Sequence, residues 1–367
     1  MDRFELVKGV GQEIIKESEL KQLLREKKHP VAYDGFEPSG LAHLPVGVYR
    51  PLLIKDLLAA GVTVKLILAD SFAWINNKFD GDLERIRTAG EYFVEVWKAA
   101  GVDMKKVEVI WHKEFFDDPE YWKKVIIIAR NHSLKRTRRS LAIAGRSDDD
   151  SQSAALNFYP SMQCADIFHI GADICQLGLD QRKVNMLARE IAEKRDIVKQ
   201  LGYEGKGVNG KPVIVSHRML MGLDGPAGAK GFDEDSAIDR AISSKMSKSI
   251  PDTSIFVHDS AEDIKRKINS AFCPMNTAKD NPVLEYTKEI IFRSSGELEI
   301  KRPEKFGGDF TFSSYRELEA SYAGGDLHPQ DLKGAVAREI DRLVSPIRVH
   351  FEKDNKAARL YEAVTNG

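Results

Sequence analysis

Between residues 31 and 217 the chain alternates short apolar runs with longer amphipathic ones, and that alternation restricts its fold more than any other feature. "VAYDGF" reads as a strand entering a Pro-Gly loop, a helical stretch follows from about Tyr49 to Ala60, and "VTVKLILAD" is a second strand. The pattern continues with "LERIRTAGEYFVEVWKAAG" as a helix closed by Gly101, "KVEVIW" as a strand, "EYWKKVIIIARNH" and "GLDQRKVNMLAREIAEK" as helices and "KPVIVSH" as a strand. Strand, helix, strand in this order implies parallel βαβ units, hence a Rossmann-like doubly wound α/β sheet with ligands at the carboxyl ends of its strands. "SELKQLLREKK" upstream reads as a helix begun by Ser18, and Gly222 to Ser243, rich in Gly, Asp and Ala, as a loop. After Ser249 strands nearly vanish. "SAEDIKRKINSAF", "NPVLEYTKEIIF", "SSYRELEASY" and "PQDLKGAVAREIDRLVSPIRVHFEK" are helical patterns, so a catalytic domain over residues 1–255 and a mostly α-helical C-terminal domain over 256–367 are expected.

At 367 residues the chain has room for both. Hydrophobic residues at 42%, charged residues at 30% and a net charge of -1 exclude a disordered chain or a supercharged nucleic-acid binder, so any RNA contact must come from a local patch. Cys164, Cys175 and Cys273 form no CxxC pair and are too few for a disulfide framework or a cysteine zinc site; no protein-bound metal is expected. The opening "MDRFELVKGVGQEIIKESEL" carries acids from the second residue and no apolar stretch of signal-peptide length, and no 18 apolar residues run together. A cytoplasmic protein with no membrane contact is the expectation.

Four segments carry chemistry. "GFEPSGLAHLPVG", Gly35 to Gly47, lies between the first strand and its helix. Its glycines let backbone approach a ligand, His43 is a donor of variable charge, and the helix N-terminus that follows favours an anion; equally, Pro38, Gly40 and Pro45 could simply shape a tight βα loop. In "FYPSMQCADIF", with Pro160 starting a helix, Tyr159, Gln163 and Asp166 fall on one face and apolar residues cover the rest. That inverted pattern is either a solvated stripe or a buried polar cavity whose groups need a ligand. "LDQRKVNM" places Gln181, Arg182 and Lys183 at a helix start, an ordinary first turn or an amide aimed into the crevice beside two cations. "SKMSKSIPD" holds Lys245, Met246, Ser247, Lys248 and Ser249, with no apolar stripe to bury. Lysine ammonium groups are compact charges suited to a polyphosphate, and opposite a glycine-rich loop bearing His43 they would close on a nucleotide triphosphate.

Taken together, "VAYDGFEPSG", "YPSMQCADIF", "DQRKVNMLARE", "KMSKS", "KRPEKFGGD" and "DLHPQDLK" resemble the class I aminoacyl-tRNA synthetases, in particular the tyrosyl-tRNA synthetases of archaeal and eukaryotic type, over nearly the whole chain. The resemblance implies a ligase that joins L-tyrosine to tRNA(Tyr) with ATP as its Mg²⁺ complex. It assigns Tyr33 and Asp166 to the substrate phenol and Tyr159, Gln163 and Gln181 to the amino group. Gly35, Glu37, His43 and Gly47 would hold ATP with Met246, Ser247, Lys248 and Ser249; His43, Lys245 and Lys248 would act in catalysis. Arg139, Arg182 and Lys183 would meet the acceptor stem, and Phe306, His328 and Asp331 the first anticodon base, an aromatic pair holding the base unstacked while the carboxylate accepts from its edge. A homodimer formed through an insertion at about 77–157 is also implied. The sequence departs from the family at "HLPVG", where the usual second histidine is replaced by Pro45, Val46 and Gly47. A tryptophanyl enzyme and a non-catalytic RNA-binding paralogue are the alternatives.

Overall fold

A computed structural model describes residues 2–141 and 153–366. Its central sheet has six strands: β1 (Glu13–Ile15), β2 (Val31–Phe36), β3 (Thr63–Leu68), β4 (Val107–Trp111), β5 (Ile174–Cys175) and β6 (Val213–Ser216). Their spatial order is β1-β6-β5-β2-β3-β4, with every neighbouring pair parallel except β1 with β6. The chain runs outward from β2 to β4, returns to the centre at β5 and runs outward again to β6. The order therefore reverses between β2 and β5, where a doubly wound sheet opens its crevice.

Side-chain alternation along the strands splits the interior in two. Ala32 and Phe36 of β2, Val64, Leu66 and Leu68 of β3 and Val213 and Val215 of β6 face one side, with the crossover helices Arg50–Ala59 and Leu83–Ala99. Tyr33, Ile67, Cys175 and Ile214 face the other, against the helices Pro119–Ala129, Tyr159–His169 and Arg182–Ala192. The first of these clusters continues without a break through Val257, Ile264 and Tyr286 to Ile340, Phe351 and Val364. The helices Ala261–Ser270, Tyr315–Gly324, Pro329–Lys353 and Asn355–Thr365, with a two-stranded ribbon at Leu298–Ile300 and Phe310–Phe312, make up this C-terminal region.

Three expectations need correcting. The stretch from Gly222 to Ser243 is not all loop: Asp235 accepts hydrogen bonds from the Ala237 and Ile238 amides and starts a helix, Ser236–Ser243. The helix expected to begin at Ser18 begins at Glu17, after Lys16 in a left-handed conformation (φ 63°), and has no side-chain cap. The range 77–157 is not all insertion, because β4 and the crossover helix Leu83–Ala99 fall inside it and belong to the sheet; residues 142–152 of that range lie outside the described residues.

Candidate active site

At the switch point lies a cavity of about 920 Å³. Alternation along β2 divides its walls: Tyr33 faces one half, with Tyr159, Gln163, Asp166 and Gln181, and Asp34 faces the half that holds His43, Phe93, Lys245 and Lys248.

The first half is built on the helix Tyr159–His169, which has Pro160 in its first turn. Its polar face is not solvated: Tyr159 and Gln163 are 8% exposed and Asp166 3%, and the other faces are buried in the core. The inverted pattern thus marks a polar cavity. The Gln163 amide donates to Gln181 Oε1 at 2.9 Å, which joins this helix to the turn before Arg182–Ala192. The Tyr33 hydroxyl and Gln163 Oε1 are buried with no hydrogen-bond partner, a state that disfavours an empty pocket. Burial, with the neighbouring Cys175 and Asp166, pushes the Tyr33 phenol well above its usual range, so it stays protonated and can donate. Asp166 is also bound from behind. Tyr121 Oη lies 2.8 Å and His112 Nε2 3.1 Å from the same oxygen, Oδ1. Neither of these residues stands out in the sequence: they lie 45 and 54 positions from Asp166, outside any motif. Phe72 packs edge-on against both His112 and Tyr159.

The second half is basic. Lys245 pairs with Asp180 at 2.8 Å, and that carboxylate raises the lysine above its usual range. Burial, the largest influence on Asp180, would raise it, but the charge and hydrogen bond of Lys245, with a hydrogen bond from Gln181, together hold the carboxyl below normal. Lys248 sits 3.3 Å from both the Ser39 carbonyl and its Oγ and 5.0 Å from the centre of the Phe93 ring; burial lowers it to about 8. Burial above all, then the charges of Lys248 and Lys245, holds His43 well below the usual imidazole range, leaving a neutral ring whose Nδ1 has no partner. Glu37 accepts from Asn76 at 3.0 Å, and burial raises its carboxyl against the pull of Lys78, Lys248 and Lys245. Below them a buried Asp34–Arg50 ion pair at 2.6 Å ties β2 to the first crossover helix, with Gln176 beyond β5 as a further acceptor. Gly35, Met246 and Ser247 complete the wall.

Two residues expected at the nucleotide lie elsewhere. Gly47 faces the core, where an added Cβ would stand 2.3 Å from Val257 Cγ1; it is a packing glycine that lets the helix start approach the 254–257 segment. Ser249 is exposed, outside the cavity wall, with its amide on Ser247 Oγ. The cations expected at the acceptor stem hold internal partners: Arg139 lies 3.4 Å from Glu234, Arg182 Nε lies 2.9 Å from both carboxylate oxygens of Glu13 and Lys183 donates to the Phe232 carbonyl. Phe306 is 61% exposed in a turn, and His328 is exposed at the N-cap of Pro329–Lys353, two residues before Gln330 whose amide it accepts; Asp331 is in that helix's first turn. Among the described residues no group of three or more His, Cys, Asp or Glu side chains is placed to hold a metal ion.

The switch-point cavity of this doubly wound sheet thus joins a buried polar wall, Tyr33, Tyr159, Gln163 and Asp166, to a wall bearing Lys245 and Lys248, an arrangement suited to a polar ligand beside an anionic one. The family model for class I tRNA synthetases (W and Y) matches residues 25–231 and 234–345. Tyrosine–tRNA ligase 1, cytoplasmic, of Arabidopsis thaliana is 43% identical over 99% of this chain and 88% of its own length, and the tyrosine–tRNA ligase of Sulfurisphaera tokodaii is 40% identical over 100% and 97%. The crystal structure of a tyrosyl-tRNA synthetase complexed with L-tyrosine from Pyrococcus horikoshii superposes with a TM-score of 0.87 at 37% identity, covering 99% of this chain and 100% of that one. The chain belongs to the class I tRNA synthetases for tryptophan and tyrosine, and within them to the tyrosyl-tRNA synthetases.

Proposed function

We propose that the protein activates L-tyrosine with Mg-ATP to tyrosyl-adenylate and then transfers the tyrosyl group to the 3′ end of tRNA(Tyr). The tyrosine carboxylate attacks the α-phosphate, the bond to the bridging oxygen breaks and pyrophosphate leaves; a ribose hydroxyl of the tRNA then attacks the acyl carbon and releases AMP. No enzyme nucleophile is needed. Catalysis is positioning and electrostatic: Lys245, Lys248 and the neutral His43 donate to the phosphates as charge shifts toward pyrophosphate, and Gly35 leaves room for backbone to approach the nucleotide. Tyr33 and Asp166 read the phenol while Tyr159, Gln163 and Gln181 hold the amino group.

The observation that carries this reading is the unpartnered Tyr33 hydroxyl in a cavity it shares with Asp166. A phenol satisfies both groups at once, donating to the carboxylate and accepting from the hydroxyl, whereas an indole N–H can only donate. The proposal extends to residues 1–255 as the catalytic unit and 256–367 as the anticodon-reading unit, to Arg139, Arg182 and Lys183 at the acceptor stem once tRNA displaces their internal partners, and to Phe306, His328 and Asp331 at the anticodon. A homodimer is supported by a chain of rings, Trp74, Phe116, Trp122 and Phe158, each in contact with the next, of which Trp74 and Phe158 are exposed. A cytoplasmic location rests on the Arabidopsis relative; no helix among the described residues is long and apolar enough to cross a membrane. Exchange of labelled pyrophosphate into ATP, driven by tyrosine or tryptophan, followed by charging of tRNA(Tyr), tests the reaction. Tyrosine should support both steps, and exchange driven by tryptophan alone would refute the assignment.

A further inference from the structure

Asp166 has an unusual buried setting. Tyr121 Oη, His112 Nε2 and Asp166 Oδ1 form a triangle with sides of 2.8, 3.0 and 3.1 Å. His112 is fully buried, its ring edge-on to Phe72, Phe115 and Tyr121, and Nδ1 has no partner. The tautomer that pairs every proton puts it on Nε2 and leaves Nδ1 as the bare acceptor. The Tyr121 hydroxyl also lies 3.0 Å from the Met162 carbonyl, but its shorter contact, 2.8 Å, is with Asp166 Oδ1; both residues thus crowd Oδ1, and Oδ2 is the oxygen left for a ligand. The other titratable groups around this carboxylate are Tyr33 on β2 and Tyr159, Cys164 and His169 on its own helix. Among the described residues no lysine or arginine pairs with it; its one ion-pair partner is His112. A buried carboxylate held by two donors and no fixed cation is an acceptor only, and a second negative oxygen brought beside it would be repelled.

We propose that His112 is a positioning residue which, with Tyr121, holds Asp166 as a one-sided acceptor, so that the pocket admits the neutral phenol and excludes the phenolate. This rests on the tyrosine reading above and deepens it. The hydroxyl of Tyr33 supplies the donor that the phenol oxygen accepts, and Asp166 Oδ2 takes the phenol proton's hydrogen bond. His112 touches no substrate atom; it acts through the carboxylate.

The test is tyrosine- and phenylalanine-dependent pyrophosphate exchange by the unmodified protein and by His112→Leu, His112→Gln and Tyr121→Phe. His112→Leu should lower kcat/KM for tyrosine roughly tenfold to a hundredfold, the loss of one hydrogen bond to a charged group, mainly through KM, and leave phenylalanine nearly unchanged. Gln, whose amide can donate to the same carboxylate, should restore most of the loss. Because the buried variant could misfold, a second measurement uses the unmodified enzyme with ring-fluorinated tyrosines of increasing phenol acidity. Their kcat/KM should fall with rising pH in the order in which the phenols ionise. Equal losses for tyrosine and phenylalanine in His112→Leu, or one pH profile shared by all fluorotyrosines, would overturn the inference and leave the proposed function standing. Failure of tyrosine to drive exchange in the unmodified protein would sink both.

Discussion

At the residue scale the proposed tyrosine pocket should distinguish tyrosine from phenylalanine through hydrogen bonds that only a hydroxyl can complete. A hydrogen bond to a charged group contributes about 1.5–3 kcal/mol, so Tyr33→Phe with Asp166→Ala should erode discrimination against phenylalanine by at least ~10-fold, read as the ratio of kcat/KM values in pyrophosphate exchange. Unchanged discrimination would misplace the pocket. Lys248 makes a prediction about pH. Burial lowers its ammonium to about 8, so the charge proposed to grip the phosphates is present below that pH and lost as pH rises through it. The kcat/KM for ATP, which reports the free enzyme, should fall above about pH 8, and Lys248→Arg, which stays charged, should lose that limb. Lys248→Ala should slow adenylate formation far more than it weakens tyrosine binding in a direct titration. Most of these residues were legible because they sit in short motifs, and Tyr159, Gln163 and Asp166 because a polar face on an apolar helix is anomalous. His112 and Tyr121 were not: a lone histidine after a strand and a tyrosine in an amphipathic helix look like ordinary core, and only the fold brings them to Asp166.

Elements were easiest to read where hydrophobic period and length agreed, as in the parallel strands and their crossover helices. They were hardest where polar residues act on the backbone. The helix Ser236–Ser243 hides in a Gly-Asp-rich stretch because its signals are caps: Asp235 starts it, and Asp239 accepts from the amides of Gly231 and Phe232, folding the preceding loop back onto it. In the "HLPVG" loop the resemblance assigns His43 and Gly47 to ATP, and the structure separates the two. His43, Pro45 and Val46 line the cavity, whereas Gly47 lets a π-helical turn, Pro45–Tyr49, pack on Val257 and Val96. Gly47→Ala should therefore act on stability before chemistry. A methyl 2.3 Å from Val257 Cγ1 forces the two elements apart, a change that costs about 1–3 kcal/mol in a packed core. Denaturant unfolding should show that loss, while KM for tyrosine stays close to that of the unmodified protein. A large rise in KM for ATP with full stability would mean that Gly47 serves the nucleotide after all.

At the scale of the whole molecule the two proposed units are one folded body. The segment after the lysine loop pairs with the loop that follows β2, through the Leu44 amide on the Ile255 carbonyl at 2.7 Å and the Val257 amide on the Ala42 carbonyl at 3.1 Å. The crossover helix Leu83–Ala99 is covered by the C-terminal helices: the Tyr92 hydroxyl bonds His258 at 2.9 Å, its ring packs 5.3 Å from Phe351, and Glu95 pairs with His350 at 2.9 Å. Arg218, just past β6, reaches Glu285 at 3.0 Å. A change from strands to helices along a sequence suggests a domain boundary, but it cannot show that the helices supply one wall of the sheet's own core. Each large apolar side chain uncovered forfeits roughly 1.5–3 kcal/mol, and a whole domain has only about 5–15 kcal/mol of net stability, so exposing four or five such residues is enough to unfold it. A fragment of residues 1–255 should therefore show no cooperative unfolding transition and no tyrosine-dependent exchange, although it contains every side chain proposed to touch tyrosine or ATP. By contrast Phe306→Ala, on the exposed turn, should leave exchange intact and lower only the charging of tRNA(Tyr). If the fragment folded and exchanged at the full rate, residues 1–255 would be a free-standing catalytic domain and the shared core would contribute little to holding the loop that follows β2 in place.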